Sequence, residues 1–569
     1  MTTLLASDEN DEAELQRRSS RWARLGAAAP AYVPALVVAV GGWQHRWMDE
    51  DAFINLRIVD QIFAGHGPVF NAGERVEAST STLWIVVLVI ARALFSAFTS
   101  MEWIALLASL GAAVAAFALA GKAARLLHHD ETGIVVPVGL ILVAAVKVVW
   151  DFSTSGLEMG LVWLWIAAAW FVLVSAARSA EINGRRRLGF GVVLGLAPLV
   201  RPDLGLMMLC VLVAWFMVVR PRRIVFDVAA IFALPLAYQI FRMGYYAMLV
   251  PTTALAKDAG GLHFGQGWEY ARNFIGPYRL WLTAILIAAA VVYRSLANRD
   301  RRLAIATAAM LSAALLHALY IIAIGGDYMH GRLLLPAFFA VALPASISVK
   351  TIAVTRRTLV VVGINVFAAA WAIVSVVAFR PPPNPKSYLL SPISDFRAAS
   401  HAKLHPTDIQ FGLNGYEAAA AYDRGVRGYF NLTDKVPRPG LDPRRFVLTL
   451  GSIGVPAYDA GRRIWVVDIG GLAEPLAART APVPGRAAGH RKQIDPAWYD
   501  ARFGAAAATS NPTEDAARRA LACGPIRGLL DAVDAKMTPG RFFSNIWHSA
   551  GDTTLRIPTD PTAAEQKWC

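Results

Sequence analysis

The chain has 569 residues, of which 56% are hydrophobic and 17% are charged, and its formal net charge is +14. A soluble protein carries roughly a quarter charged residues, so this composition excludes an ordinary soluble enzyme over most of the length. The positive charge does not indicate a nucleic-acid partner. Many of the arginines lie in short loops between apolar runs, which is typical of the cytoplasmic loops of membrane proteins.

The first 24 residues are polar and precede an apolar run, so we predict a cytoplasmic tail over 1–24. Basic loops at 178–187, 220–223, 294–302 and 350–357 should also face the cytoplasm. Apolar runs long enough to be candidate spans lie near residues 27–43, 80–98, 103–121, 133–150, 157–177, 188–200, 203–219, 224–243, 279–296, 302–324, 333–349 and 358–379. This orientation puts the C-terminal part outside and requires an odd number of crossings. We therefore predict about eleven spans, with one run between 80 and 132 that does not cross.

Residues 25–380 are expected to form this polytopic α-helical membrane domain, and residues 381–569 an extracytoplasmic domain. Three prolines at 381–383 form a stiff linker between them. Short β-type runs at 445–450 and 464–469, with helical patterns such as 513–536, predict a mixed α/β or β-rich domain. Cys523 and Cys569 both lie there, and outside the cytoplasm a disulfide between them is reasonable, although spacing alone does not prove it.

Three acids, Asp49, Glu50 and Asp51, directly follow the first apolar run. Residues 52–59 place apolar and polar side chains at helical spacing, which predicts a helix along the membrane surface. Such a helix would hold the acids where a carboxylate can meet a lipid phosphate-sugar. A base is needed to deprotonate an acceptor hydroxyl, and Asp51 is the first choice and Glu50 the second. The competing interpretation is that the three acids are ordinary solvent-exposed residues at the start of a loop, and without the helix that follows them this would be preferred.

Other charged residues end apolar runs on the same outer side. A charge well inside the bilayer costs roughly 2.5–3.5 kcal/mol on insertion scales, so several on one face indicate function. For any one of them alone, an ion pair such as Arg201 with Asp203 explains the pattern equally well. Cationic side chains can hold a phosphodiester. The predicted donor-phosphate ligands are Lys257, Arg332, His330 and Arg201, and the predicted substrate-binding residues are Asp49, Arg75, Glu77, Glu158, Tyr245 and Asp327.

Several common signatures are missing from the sequence. It has no P-loop, no strand–GxGxxG–helix pattern and no catalytic serine elbow, so nothing indicates a nucleotide-driven reaction. No Cys/His spacing predicts a metal site and no cofactor is certain, although the carboxylates could ligate a divalent cation. An enzyme on the outer face of the membrane would be expected to use a lipid-linked sugar donor.

Longer stretches carry a resemblance to a known family. "AGHGPVFNAGERVEASTST", "DFSTSGLEMG", "AYQIFRMGYYAMLVPTTALAKDAGG", "GGDYMHGRLLL" and "MTPGRFFSNIWHS" are similar to the mycobacterial terminal arabinofuranosyltransferase family AftB. The resemblance implies a GT-C glycosyltransferase fold in the plasma membrane. It also implies decaprenylphosphoryl-β-D-arabinofuranose as donor, and the arabinan of arabinogalactan and lipoarabinomannan as the acceptor that receives a terminal β(1→2) residue. The family's usual catalytic pair is two aspartates, whereas this chain has Glu50 at the first position.

A β donor that gives a β linkage means net retention, for which two adjacent carboxylates could divide the roles of nucleophile and base. Three alternatives stay open from the residues alone. The first is a related transferase of another sugar from a polyprenyl phosphate. The second is a lipid transporter, although no inverted repeat is visible. The third is a non-catalytic assembly factor, against which the acids at 49–51 argue. The C-terminal domain is expected to bind the glycan acceptor, since it would lie above an outer active site.

Overall fold

A computed structural model of the chain describes residues 28–129, 133–179, 181–219, 224–258, 260–349, 355–379, 393, 432–433, 447–462, 464–484, 486, 488–503 and 511–569. The part before residue 380 is mostly helical. Its helices are α1 (Val33–Gln44), α2 (Ala52–Phe63), α3 (Thr82–Phe95), α4 (Met101–Leu127), α5 (Val138–Ala144), α6 (Lys147–Thr154), α7 (Met159–Arg178), α8 (Gly184–Gly195), α9 (Ala197–Val200), α10 (Leu204–Val219), α11 (Ile224–Tyr246), α12 (Thr252–Ala256), α13 (Phe264–Ile275), α14 (Leu280–Ala297), α15 (Arg301–Ala323), α16 (Leu335–Ala342) and α17 (Arg356–Ala378).

Six of these helices are long and apolar enough to cross a membrane, namely α4, α7, α11, α14, α15 and α17. Shorter apolar helices are α1, α3, α10 and the segment Arg332–Ala342, which contains α16. The chain is therefore mostly helical, with the features of a polytopic membrane protein. The count of about eleven spans goes beyond these six helices and stays a prediction. In the stretch between 80 and 132, α3 has 14 residues and is about 21 Å long, shorter than the hydrocarbon core.

Two of the apolar runs do not form single helices. The run at 133–150 divides into strand β1 (Ile134–Val136), α5 and α6, and the run at 333–349 ends in strand β2 (Ile347–Val349). The two strands pair antiparallel, with Val135 opposite Ser348. Pro137 and Pro344 separate the strands from the helices because proline cannot continue a helical hydrogen-bond ladder. The strands themselves are rich in β-branched residues, which favour an extended backbone.

The predicted surface helix after the acidic trio is present as α2, but it is buried instead of lying open on the membrane surface. Its Arg57, which is 1% exposed, draws the C-terminal part of the chain onto it. The guanidinium donates to the carbonyl oxygens of Phe70 at 3.0 Å, Gly461 at 3.0 Å and Ile464 at 2.6 Å, and also to Ala457. Periodicity alone could not distinguish a lipid surface from a protein surface as the partner of this helix.

The C-terminal part combines a small sheet with short helices, as the mixed α/β expectation stated. Its elements are β3 (Leu432–Thr433), β4 (Val447–Leu450), α18 (Val455–Asp459), β5 (Trp465–Asp468), α19 (Pro496–Phe503), α20 (Pro512–Leu521), α21 (Gly524–Asp534), α22 (Pro539–Thr554) and α23 (Pro561–Trp568). Strand β4 lies between β3, which is antiparallel to it, and β5, which is parallel. The two predicted strands are thus confirmed as β4 and β5. Cys523 and Cys569 are joined by a disulfide.

The loop between α2 and α3 binds the C-terminal part through buried polar contacts. The amide of Asn71 donates to the carbonyl of Val466 at 2.8 Å and accepts from its N–H at 3.0 Å, so it pairs with strand β5 as a neighbouring strand would. Arg502, whose side chain is 3% exposed, contacts the carboxylates of Glu74 and Glu474. This loop therefore lies between the membrane helices and the C-terminal elements and holds them together.

Arg57→Gln should lower the thermal stability of the detergent-purified protein, at a cost of about 3 kcal/mol, because several buried carbonyl groups lose a charged donor. Differential scanning fluorimetry of the full chain measures the shift. Arg462→Gln is the matched control, because Arg462 is exposed and its side chain makes no hydrogen bond or ion pair within the described ranges. Equal melting temperatures for the two variants would contradict the role given to Arg57.

Candidate active site

Charged residues gather where several membrane helices end on the same side. Glu158 precedes α7, Arg201 and Asp203 lie between α9 and α10, Lys257 follows α11 and α12, and Asp327 and Arg332 follow α15. Arginines lie at the opposite ends, where Arg178 closes α7 and Arg301 opens α15. A helix of about 20 residues separates its two ends by about 30 Å. The acidic and basic residues of this cluster therefore lie together at one face of the membrane helices, opposite Arg178 and Arg301.

Arg332 lies at the centre of this cluster with its side chain 5% exposed. Its Nη2 donates to Glu158 Oε1 at 3.4 Å, while its Nη1 lies 3.7 Å from Asp327 Oδ2 and 4.0 Å from Asp51 Oδ2. A buried guanidinium without a counter-charge would be strongly unfavourable. The surrounding carboxylates compensate for its burial, and in turn they are drawn together from separate segments of the chain.

A second arginine extends the network into the membrane domain. Arg201 donates to Glu158, and its Nε donates to Asp203 Oδ1 at 2.9 Å. Asp203 Oδ2 lies 2.9 Å from His317 Nε2 on α15. Burial would raise the pKa of Glu158, but the guanidinium groups of Arg201 and Arg332 outweigh burial and hold that pKa below its usual value. Glu158 is therefore a fixed counter-ion shared by two arginines.

Asp51 is the member of the acidic trio that faces this network. Its Oδ2 accepts from the Tyr328 hydroxyl at 2.9 Å, and its backbone N–H donates to Asp49 Oδ1 at 2.9 Å. Asp49 is fully buried behind it, and its Oδ2 has no hydrogen-bond partner in the described part of the chain. Burial, and then the charge of Asp51, raise the pKa of Asp49 well above its usual value. Asp49 thus fixes the backbone of Asp51 by accepting its N–H and does not itself line a cavity.

Two cavities meet beside Arg332. The residues that line the first include Arg201, Asp203, Asp327, Ala488 and Gly489, and those that line the second include Asp51, Asn55, Ser79, Glu158 and Leu472. Thr80, Thr253, Lys257 and Arg332 line both. The side chains of Lys257 and Arg332 therefore stand where a ligand entering from either cavity would meet Asp51.

Lys257 differs from the two arginines in its electrostatic state. Its ammonium has no hydrogen bond and no ion pair among the residues that the structure describes, whereas Arg201 and Arg332 are already matched by carboxylates. A negatively charged group that enters either cavity would meet in Lys257 a cation that no carboxylate neutralises. The arrangement is suited to hold an anion close to the carboxylate of Asp51.

The C-terminal part of the chain completes the walls of the site. Ala488 and Gly489 line the first cavity, and the neighbouring His490 packs edge-on against Tyr328 with 4.4 Å between ring centroids. Burial lowers the pKa of the His490 imidazole below its usual value. A neutral imidazole therefore lies against the tyrosine that donates to Asp51. The site thus needs both the membrane helices and the C-terminal segment.

Sequence comparisons give two relatives that match over almost the whole chain. The terminal β-(1→2)-arabinofuranosyltransferase of Corynebacterium glutamicum is 31% identical, over 96% of this chain and 90% of its own length. The protein of the same description from Mycobacterium tuberculosis is 30% identical, over 93% of this chain and 95% of its own length. Residues 431–567 match the sequence model of the AftB family C-terminal domain. The chain belongs to the AftB family. No solved structure shows significant similarity to it.

Most of the residues predicted for the site of this AftB family member are brought together. Asp51, Glu158, Arg201, Lys257, Asp327 and Arg332 line the two cavities, and Asp49 lies directly behind Asp51. Their common sequence feature was a polar or charged residue at the end of an apolar run. The helices end on one face of the membrane domain, and for this reason Asp51 and Arg332, 281 positions apart in the sequence, meet.

Four predicted binding residues lie elsewhere. His330 does not line either cavity; its Nδ1 is 2.6 Å from Asn273 Oδ1 on α13. Arg75 donates to the carbonyls of Tyr245 at 3.2 Å and Ala532 at 2.7 Å, and so ties the loop between α2 and α3 to α21. Glu77 accepts from Tyr238 and Arg242 on α11, and the Tyr245 ring stacks on Phe241. These side chains contact other parts of the protein and do not line either cavity. The assignment of His330 to the donor phosphate, and of Arg75, Glu77 and Tyr245 to the substrate, stays a prediction.

Glu50 also turns away from the cavities. Its carboxylate accepts from the backbone N–H of Gly454 beside strand β4, and a Cβ at Gly454 would collide with it, 2.6 Å from Glu50 Cδ. Burial, and then the charge of Asp51, raise the pKa of Glu50 from 4.5 to about 7. The structure therefore gives Glu50 contacts with the C-terminal part of the chain, and it leaves Asp51 as the member of the trio that lines a cavity.

Sequence reasoning missed Tyr328 and His490 as site residues. Tyr328 lies in the stretch "GGDYMHGRLLL", but nothing in that stretch distinguishes its hydroxyl from the other polar groups. His490 stands in a Gly-, Ala- and Arg-rich stretch without a recognisable motif. Among the described residues, no group of three or more His, Cys, Asp and Glu side chains could hold a metal ion.

The contact between Glu50 and Gly454 should weaken as the pH rises from about 4.5 to about 7. In this window the buried carboxyl keeps its proton, whereas a solvent-exposed one has lost it, so the closed contact loses up to about 3 kcal/mol relative to the open one. Hydrogen–deuterium exchange of residues 452–461, corrected for intrinsic rates, should increase across this range. Glu50→Gln should remove the pH dependence, and an unchanged profile in that variant would refute the assignment.

Proposed function

We propose that this protein transfers a β-D-arabinofuranosyl residue from decaprenylphosphoryl-arabinose to the arabinan of arabinogalactan or lipoarabinomannan, and forms a terminal β(1→2) linkage. The activity is that of the two relatives, with which the chain shares almost its entire length. The single observation that carries the proposal is the meeting of Asp51 with Lys257 and Arg332 at one cavity junction. A carboxylate beside two cations matches a reaction in which a phosphate departs and a hydroxyl is deprotonated.

The donor phosphate is assigned to Lys257 and Arg332. Within the described part of the chain, no carboxylate pairs with Lys257, and Arg332 Nε, which is buried, has no hydrogen-bond partner. Arg201 is not assigned to the phosphate, because its guanidinium already forms ion pairs with Glu158 and Asp203. It acts indirectly, by holding these carboxylates in place. The cations also favour the products, because negative charge builds up on the phosphate as its bond to the sugar breaks.

The chemistry follows from the single carboxylate of the trio that lines the cavities. The bond between C1 of the sugar and the phosphate oxygen breaks, and the phosphate leaves with the electron pair. The acceptor 2-hydroxyl attacks C1 from the face that the phosphate has left, and Asp51 takes its proton. Attack on this face retains the β configuration with one base, so Glu50, which contacts Gly454, is not needed as a nucleophile.

The same proposal includes the orientation of the protein. The cavities lie at the helix ends opposite the arginine-rich ends, so the positive-inside rule supports an extracytoplasmic active site in the plasma membrane. The C-terminal part, with the predicted boundary near residue 381, would then also be extracytoplasmic. Because Ala488 and Gly489 line the first cavity, this part is the proposed wall of the acceptor path.

Asp51→Asn should reduce transfer by about 10²- to 10⁴-fold, because the amide keeps the shape of the carboxylate but cannot take a proton. The assay incubates the purified full chain with radiolabelled decaprenylphosphoryl-arabinose and a synthetic arabinan acceptor, followed by linkage analysis of the product. Asp531→Asn, on the surface of α21, is the matched control and should retain full activity. Wild-type transfer rates in Asp51→Asn, or a pentosyl ester trapped on Asp51 during turnover, would exclude the base role.

Lys257→Gln should raise the KM for the lipid-linked donor about tenfold or more and leave the KM for the acceptor nearly unchanged, because the variant loses the unpaired charge at the phosphate. Steady-state kinetics with each substrate varied in turn separate the two effects. Lys536→Gln, at an exposed lysine, is the control. An equal rise in both KM values would show that Lys257 shapes the site without binding the phosphate.

A further inference from the structure

A third cavity, which is basic, lies at the other end of α7. Its lining combines the end of α4, the end of α7 and the start of α8 with residues around β1. The cavity has a volume of about 860 Å³ and is lined by Lys122, Arg125, Leu126, His128, His129, Gly133, Val135, Phe171, Ser175, Arg178, Ser179, Arg186 and Phe190. Ligand-binding pockets are typically about 300–1,000 Å³, so this one has room for a head group.

This cavity is separate from the candidate active site. Glu158, in the active-site network, directly precedes α7, whereas Arg178, in the basic cavity, is the last residue of that helix. The 20 residues of α7 separate the two by about 30 Å, which is about the thickness of the hydrocarbon core. The cavity therefore lies at the opposite membrane face, which is cytoplasmic in the proposed orientation.

The cations of the cavity are mostly unneutralised. Arg125 and Arg186 make no side-chain hydrogen bond and no ion pair in the described part of the chain, and Lys122 contacts only the ring of Phe171, with its Nζ 5.2 Å from the centroid. Of the described residues that line the cavity, none is Asp or Glu. By contrast, the nearby Arg187 is paired with Asp227 of α11. Lys122, Arg125 and Arg186 are exposed and line the same cavity, so an anion that enters it would meet three positive side chains.

The cavity wall is also apolar on one side. Leu126, Val135, Phe171 and Phe190 line it together with the cations. Lys122, Leu126 and Phe171 belong to α4 and α7, which are long enough to span the bilayer, so the cavity opens where lipid head groups meet acyl chains. A free phosphate would use only the cations. A phospholipid would use the cations through its head group and the apolar side chains through the first part of its chains.

We propose that this cavity binds the phosphate head group of an anionic phospholipid from the leaflet opposite the active site. Arg125 and Arg186 bind the phosphate oxygens, Lys122 adds positive charge, and Phe171 and Phe190 contact the acyl-chain side. The bound lipid joins the ends of α4, α7 and α8, and so it stabilises the helix that carries Glu158 at its other end. This inference concerns structural lipid binding and is independent of the sugar that the active site transfers.

The test uses the full-length protein, purified in a zwitterionic detergent. Binding of phosphatidylglycerol is measured by native mass spectrometry and by the shift in melting temperature, with phosphatidylcholine as the neutral comparison and inorganic phosphate as the soluble one. Arg125→Gln/Arg186→Gln is the test variant. Arg185→Gln/Arg299→Gln removes the same charge from exposed positions on the same side that do not line the cavity.

The expected result is that phosphatidylglycerol binds and stabilises the wild-type protein and that the affinity falls about tenfold or more in the test variant. The control variant should stay within about twofold of wild type. Equal binding of phosphatidylcholine, or an equal loss in the control variant, would overturn the proposal of a built anionic site. Equal stabilisation by inorganic phosphate would show that the ligand is a soluble anion and would overturn its assignment to a lipid.

Discussion

The buried guanidinium of Arg332 organises the candidate active site. Glu158 and Asp327 are held to it from the ends of different membrane helices, and Asp51 reaches it from the segment directly before α2. An uncompensated charge at this depth would be unfavourable, and so would the isolated carboxylates. The network is therefore stable only when these segments are together. Lys257 lies next to it and has no counter-ion among the described residues, so it can act on a ligand, because Arg332 and Arg201 already balance the acids.

The ends of helices were the part of the site that the sequence could predict. A charged residue that ends an apolar run has to be solvated or paired, and helix ends on one face bring such residues together. Lys257, Arg332 and Asp327 were identified by this argument, and the strands β4 and β5 by their short β-branched runs between turn residues. These inferences depend on local patterns and on the alternation of membrane helices, both of which are visible in one chain.

Side-chain direction was the part that could not be predicted. Glu50 and Asp51 are neighbours with nearly the same chemistry, but the N–H of Gly454, about 400 positions away, takes the carboxylate of Glu50 out of the site. His490 reaches Tyr328 only because the C-terminal part is docked on the membrane helices. In the same way, the apolar runs at 133–150 and 333–349 looked like single helices, because hydropathy does not show that each is interrupted and that their ends pair as β1 and β2.

The amide of Asn71 has a consequence for how copies of this protein meet. Among the described strands of the small sheet, β5 is the last on its side, and a free strand edge invites pairing with another chain. Asn71 occupies both the carbonyl and the N–H of Val466 at this edge with a side chain from the same molecule. A second copy therefore finds no open hydrogen-bonding groups at that residue, and edge-to-edge assembly through β5 is blocked there by the loop that also ties the two parts of the chain together.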